Sequence, residues 1–155
     1  MVIKPIKRRI SKFDGQYAAL SNFAESVICY EYIFYPTVEH YFQAMKTTDL
    51  KQRQRIAAAS TPGQAKRLGR AVELRPDWED IKEEVMLEGL RLKFKIPAMR
   101  EVLLSTQSAE LVEGNTWHDN TWGDCSCEKC QNTPGQNLLG KLLMKVRQEL
   151  RNGGY

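Results

Sequence analysis

A glutamate, a glutamine and a lysine stand at Glu39, Gln43 and Lys46 in the run VEHYFQAMKT. Steps of four and three residues put a carboxylate, an amide and an amine on one stripe of a helix, about two turns long. Such a stripe can bind a polar ligand, move a proton or present an amine nucleophile. The commoner meaning of Glu and Lys seven apart is a solvated helix face. The setting favours a site: two segments rich in β-branched and aromatic residues, 26–30 and 32–35, run straight into this helix, and a strand-to-helix junction often borders a pocket.

Three further groupings have chemistry-bearing types. The polar stretch 117–124 holds Trp117, His118, Asp119, Trp122, Gly123 and Asp124. An indole face stacks on a base, and equally pins a loop to a core. Asp119 and Asp124 suit a metal, a ribose hydroxyl or a turn cap. Neither histidine, His40 or His118, has a Ser or Cys partner at a triad spacing. Next, Cys125, Cys127 and Cys130 crowd one loop, where His118 or Asp124 would complete a zinc set; a strong zinc signal has two separated ligand pairs, and reduced loop cysteines are the plainer reading. Finally, Gly135 to Gly140, with Asn137 between, opens the last helix. Backbone N–H groups there attract phosphate, although an ordinary helix start looks the same.

The elements that must position these residues are mostly helical. Thr37 reads as the N-cap of a helix over 38–47, and a second helix covers 51–59. Thr61, Pro62 and Gln64 signal the next start, and Gly69 its end. Asp77 reads as the cap of a helix over 78–95, whose Trp78, Ile81, Val85, Met86, Leu90, Leu92 and Phe94 recur at helical spacing. A short helix covers 98–104 after Pro97. Residues 110–113 form a strand candidate, and 136–150 the last helix, with Leu139, Leu143, Val146 and Leu150 on one face. The expectation is an α+β fold: a mainly helical single domain over residues 1–155 with a small β-sheet.

Length and composition agree. The 155 residues suit one domain, and 42% apolar with 27% charged residues excludes bulk disorder. No run approaches the roughly 18 apolar residues of a membrane span, and no long apolar segment follows the basic N-terminus. The cytoplasm is therefore the expected compartment, with no membrane partner. A net charge of +4 suits an anionic small ligand and falls short of the dense basic stripe of a dedicated nucleic-acid binder. The cluster Lys7, Arg8 and Arg9 reads as part of a solvated, flexible terminus over 1–10.

Taken in order, the pieces resemble one family. Ser21-Asn22-Phe23 precedes Pro36 to Ala44 (PTVEHYFQA) with Lys46. Ala65-Lys66 with Gly69-Arg70 follows, then Trp78, Met86, Lys93-Phe94 and Leu111-Val112-Glu113. Asp119 with Trp122-Gly123, and Gly135 with Asn137, Leu139, Gly140, Leu143 and Arg147, complete the series. The chain is similar in this to YbiA-like, or NADAR, proteins over roughly residues 12 to 150.

The resemblance implies an N-glycosidase that splits the bond between a ribose anomeric carbon and a base nitrogen. Two substrate classes go with it: ribosylamino-pyrimidine phosphates of riboflavin synthesis, and ADP-ribose on guanine, including ADP-ribosylated nucleic acid. It implies Glu39 and Lys46 as catalytic residues, and Ser21, Asn22, Phe23, Gln43, Trp78, Asp119, Trp122, Gly123, Gly135 and Asn137 as substrate-binding. Glu39 would stabilise positive charge on the ribose or shuttle a proton, and Lys46 would form a Schiff base with the opened sugar. Burial lowers a lysine pKa and a nearby carboxylate raises it; spacing does not decide between them. No obligatory organic cofactor and no metal is expected, and oligomeric state is left open. The same pocket would also serve a non-catalytic module that binds ADP-ribose or an NAD derivative. The chain departs from the family pattern at 125–134, where a stretch with three cysteines stands in place of a glycine-rich one, so Cys125, Cys127 and Cys130 belong either to a zinc-pinned variant of that loop or to a different lid.

Overall fold

A computed structural model describes residues 8–154. In chain order its elements are β1 (Arg9–Ile10), a 3₁₀ helix (Gly15–Leu20), β2 (Ile28–Tyr30), β3 (Ile33–Tyr35), α1 (Val38–Ala44), α2 (Leu50–Ala57), α3 (Pro62–Gly69), α4 (Trp78–Lys93), α5 (Pro97–Ser105), β4 (Glu110–Leu111), β5 (Gly114–Asn115), β6 (Asp124–Cys125) and α6 (Leu138–Arg151). The fold is α+β and mainly helical, as expected. The small sheet is instead three separate two-stranded ladders. No helix among the described residues is long and apolar enough to cross a membrane. The chain divides into two compact units, residues 21–100 and residues 8–20 with 101–154.

In the unit 21–100, α1 is buried along its whole length, because α2, α3, α4 and the β2–β3 hairpin all pack on it. Tyr41 shows how. Its ring meets Tyr30 and Tyr35 edge-on at 5.3 and 5.9 Å, and its hydroxyl donates to the Val85 carbonyl at 3.0 Å. Gly89 lets α4 approach this closely, since a Cβ there would run into the Tyr41 ring. The hairpin pairs Ile28 with Tyr35 and Tyr30 with Ile33. Tyr32, expected to open the second strand, lies in the turn. Glu31 and Tyr32 both have positive φ, 49° and 69°, a backbone shape suited to strand twist but unfavourable for non-glycine residues. Arg53 holds the Glu31 carboxylate at 3.0 Å and so helps fix that turn.

Two helix starts differ from expectation, α2 in beginning at Leu50 rather than at 51 and α4 in its cap. Asp49 caps α2 by accepting from the Lys51 and Gln52 N–H groups. Asp77, expected to cap α4, makes no side-chain cap bond; the Arg75 guanidinium takes both its oxygens, at 2.7 and 3.1 Å.

In the other unit, β1 pairs parallel with β4, and β5 with β6. Arg9 and Ile10, expected within a flexible terminus, are thus ladder residues; residues 1–7 lie outside the described ones. Arg147 ties α6 to the end of α5. Its guanidinium is buried and donates to Thr106 Oγ1 at 2.9 Å and to the Ala109 carbonyl at 2.8 Å. Truncation leaves both acceptors without this donor. Arg147→Ala should therefore destabilise the protein by about 2–4 kcal/mol in urea unfolding, whereas the exposed Lys141→Ala should change it by less than about 0.5 kcal/mol.

Candidate active site

Thr37 begins α1 with an extended backbone, and its hydroxyl accepts from the His40 N–H at 3.1 Å. Glu39 and Gln43 follow one turn apart, only 8% and 4% exposed. Gln43 Nε2 donates to Glu39 Oε1 at 2.8 Å. The helix ends sooner than the expected 38–47: Met45 is its cap, and Lys46 lies just beyond. Its last turn tightens to i−3 bonds, from the Lys46 N–H to the Gln43 carbonyl and from the Thr47 N–H to the Ala44 carbonyl, each at 3.3 Å. The Arg75 N–H bonds the Lys46 carbonyl and Arg53 Nε the Thr47 carbonyl, each at 2.8 Å.

Lys46 nevertheless stays within electrostatic reach of Glu39. Burial pushes the Glu39 carboxyl above the usual carboxylate range, and the Gln43 bond, Lys66, Lys46 and His40 only partly pull it back. Burial also pushes Lys46 below the usual lysine range; Glu39 opposes this, while Arg70 and Lys66 add to it. Burial therefore governs the amine. Lys66 and Arg70 were not among the expected site residues, although their four-residue spacing around Gly69 puts both on one face of α3. Gly69 is the last residue of α3, but no left-handed cap follows it. It is needed for close approach, because a Cβ there would overlap the Gln43 side chain. His40 is committed to the core: its Nε2 donates to the Ala59 carbonyl at 3.0 Å, and Thr37 donates to its Nδ1 at 2.8 Å.

The segment Ser21-Asn22-Phe23 is fastened beside α1. The buried Lys93 donates to the Ser21 carbonyl at 2.8 Å, the Asn22 amide donates to Met86 sulfur at 3.4 Å, and the Glu39 N–H bonds the Asn22 carbonyl at 3.2 Å. Among the described residues, Asn22 Oδ1 and Gln43 Oε1 are buried without a hydrogen-bond partner, so both are unspent acceptors. Phe23 is 48% exposed. Trp78, expected to touch substrate, is 5% exposed and lies against Phe42 at 5.0 Å; its indole belongs to the core.

The remaining expected residues fall in the other unit, where most serve the backbone. Asp119 Oδ1 accepts from the Thr121 and Trp122 N–H groups, which makes it a turn cap. Asn137 was expected to bind substrate, but both ends of its amide are used: Nδ2 donates to the Leu111 carbonyl and Oδ1 accepts from the Glu113 N–H. The backbone at the start of α6 is taken in the same way, which favours the ordinary helix start over a phosphate site. The N–H groups of residues 136–139 are bonded to the carbonyls of Asn120, Gly123, Thr121 and Trp122. Gly135 and Gly123 permit close backbone contact here, Gly135 against Gly123 and Asp124, and Gly123 against Glu113. Trp122 is half-buried and Trp117 is 61% exposed. Cys125, Cys127 and Cys130 gather with His118 in one cluster.

The α1 arrangement places an amine with lowered proton affinity near a carboxyl with raised affinity. That combination suits nucleophilic attack with proton transfer, and the cations of Lys66 and Arg70 suit a phosphate.

Comparison with known proteins adds to this. The NADAR domain matches residues 10–151, a span that includes both units. The N-glycosidase YbiA of Escherichia coli is 44% identical over 140 residues, covering 88% of this chain and 84% of that protein. An N-glycosidase of Nostoc punctiforme is 42% identical, covering 88% and 87%. The chloroplastic riboflavin biosynthesis protein PYRR of Zea mays is 35% identical over 86% of this chain and 23% of that protein. The NMR structure of E. coli YbiA superposes with a TM-score of 0.78 at 40% identity, covering 96% of this chain and 88% of the other.

Glu39 ionises with difficulty in the folded state even with its cations present, so its charge is a net stability cost wherever it is ionised. A raised folded pKa favours folding below the unfolded value, and that contribution disappears as pH rises through the folded one. Glu39→Gln should therefore raise stability by roughly 1 kcal/mol at pH 8, with the gain fading toward pH 4, as read by thermal unfolding at both pH values.

Proposed function

The chain belongs to the NADAR family and is an N-glycosidase, and from this premise we propose that Lys46 is its nucleophile and Glu39 its proton-transfer group. The observation that carries the assignment is a buried carboxyl with a half-buried amine within its electrostatic reach, in which burial shifts Glu39 up and Lys46 down. In the proposed reaction Glu39 protonates the ribose ring oxygen, and the ring opens to leave a C1′–nitrogen imine. The neutral Lys46 amine adds to C1′ and expels the base as its amine, forming a lysine imine. Water then hydrolyses that imine, which releases the free sugar and restores the lysine. The net change is substrate plus water to sugar plus base.

The substrate we propose is a ribosylamino-pyrimidine phosphate. Its ribosyl hydroxyls would meet the acceptors Asn22 Oδ1 and Gln43 Oε1, and its phosphate the cations of Lys66 and Arg70. The similarity to a riboflavin biosynthesis protein supports this choice over ADP-ribosyl guanine.

The deciding assay follows base release by chromatography with mass detection, using the ribosylamino-pyrimidine phosphate and ADP-ribosylated guanosine separately. Wild type should release base from the first, and Glu39→Gln and Lys46→Ala should each lower kcat by at least about 100-fold. Release from ADP-ribosylated guanosine alone would reassign the substrate. Binding of ADP-ribose without release from either would make the protein a binding module. Borohydride should trap a sugar adduct on Lys46 in wild type. The rising limb of the pH–kcat profile reports deprotonation of Lys46. Because Arg70 helps to depress that amine, Arg70→Gln should move the limb to higher pH; an unmoved limb would sink the assignment of Lys46.

A further inference from the structure

The loop that follows β5 carries a grouping the glycosidase reaction does not use. His118 Nδ1 lies 3.2 Å from Cys127 Sγ and 3.4 Å from Cys130 Sγ. With Cys125 Sγ, the four ligand atoms all lie within 4.8 Å of one another. A tetrahedral zinc with Zn–S of about 2.3 Å and Zn–N of about 2.0 Å needs ligand separations of roughly 3.5–3.8 Å. Shifts of about 1 Å or less bring all four onto such an ion. The three thiols are free, so no disulfide accounts for their meeting. Apolar packing does not account for it either, since His118 is exposed and Cys127 and Cys130 are only half-buried.

The backbone is arranged around these ligands. The His118 and Cys127 N–H groups point at Cys125 Sγ, at 3.3 and 3.5 Å, and would support it as a thiolate. The Cys130 N–H bonds the Cys127 carbonyl at 3.0 Å, which closes the turn that brings those two thiols to one side. His118 has φ of 68°, a left-handed conformation unfavourable for a residue with a Cβ. Asn115 Oδ1 holds it there by accepting from the Trp117 and Asp119 N–H groups on either side.

From this geometry we infer that His118, Cys125, Cys127 and Cys130 form a zinc site. Three soft thiolates and one imidazole select zinc over calcium or magnesium, which need oxygen ligands. All four positions come from protein, so no open position remains for water, and the ion is structural. It replaces what the local ladders cannot supply, because β5 and β6 share only two residue pairs. Its influence reaches the segment 119–124 through two bonds: Asn120 Oδ1 accepts from the Cys125 N–H at 2.8 Å, and Asp124 Oδ1 from the Gly135 N–H at 2.9 Å. The loop also walls a cleft of about 400 Å³ bordered by Asp124, Ser126 and Pro134, whose shape the ion would set. This assignment does not rest on the glycosidase chemistry.

Metal analysis of the full chain, purified without a histidine tag, should find one zinc per molecule. The wild type, stripped by chelator under reducing conditions and titrated with cobalt(II), should show thiolate charge-transfer and tetrahedral d–d bands that zinc abolishes. Cys127→Ser and Cys130→Ser should each lose stoichiometric cobalt binding, and Cys29→Ser should keep it. Stripped protein should be cut by protease within 118–134, where the zinc form resists. Any of three results overturns the proposal: wild type with neither zinc nor cobalt bands, bands that persist in the Cys127→Ser/Cys130→Ser double variant, or a Cys127–Cys130 disulfide in the protein as purified. The wild-type measurements decide even if a variant fails to fold.

Discussion

Withdrawal of α1 from water is the constraint on which the rest of the unit 21–100 depends. A short helix buried on every side would ordinarily be apolar throughout, and Val38, Tyr41, Phe42 and Ala44 obey that rule. Glu39 and Gln43 break it. A carboxyl without solvent resists ionisation, and a neighbouring amine resists protonation, so one burial event tunes both groups toward each other. The mutual Gln43–Glu39 bond then fixes where the carboxyl points. The aromatic contacts of Tyr41 and the Phe42–Trp78 pair offset the expense of such a helix by burying large apolar rings around it.

The other unit solves a different problem. Its strands are too short to hold a loop of some twenty residues by ladder bonds alone. Side-chain amides and carboxylates do so instead. Asn115, Asp119, Asn120 and Asn137 each accept from or donate to the backbone, and Asp124 reaches Gly135. These residue types look like ligand-binding groups in a sequence, and here they are mainly a scaffold. A metal ion at the cysteine cluster continues the same logic, with coordination bonds in place of the missing strand pairs.

Much of the fold was legible because local chemistry agreed with tertiary packing. Thr37 and Thr61 cap the helices they were expected to cap, since a hydroxyl before an apolar run has few better partners than the N–H groups that follow. The aromatic segments became a hairpin. Asp77 misled because Arg75, two residues earlier, competes for its carboxylate with a bidentate bond stronger than a cap. The ladders β5 and β6 could not be read, because two residues show no periodicity.

The sequence by itself determined that Glu39 and Gln43 share a helix face, and that Lys46 follows near them; a spacing of four and a capped start suffice for that. It also placed three thiols in one loop. Only the tertiary structure decided what those groups are. Whether a carboxyl is solvated or buried depends on α2, α3, α4 and the hairpin closing around α1, which are contacts between residues far apart in the chain. The same dependence separated Asn22 and Gln43, which keep acceptors to spare, from Asn137, whose amide the backbone takes at both ends. It also decided that His118 rather than Asp124 meets the cysteines, through a left-handed turn at His118.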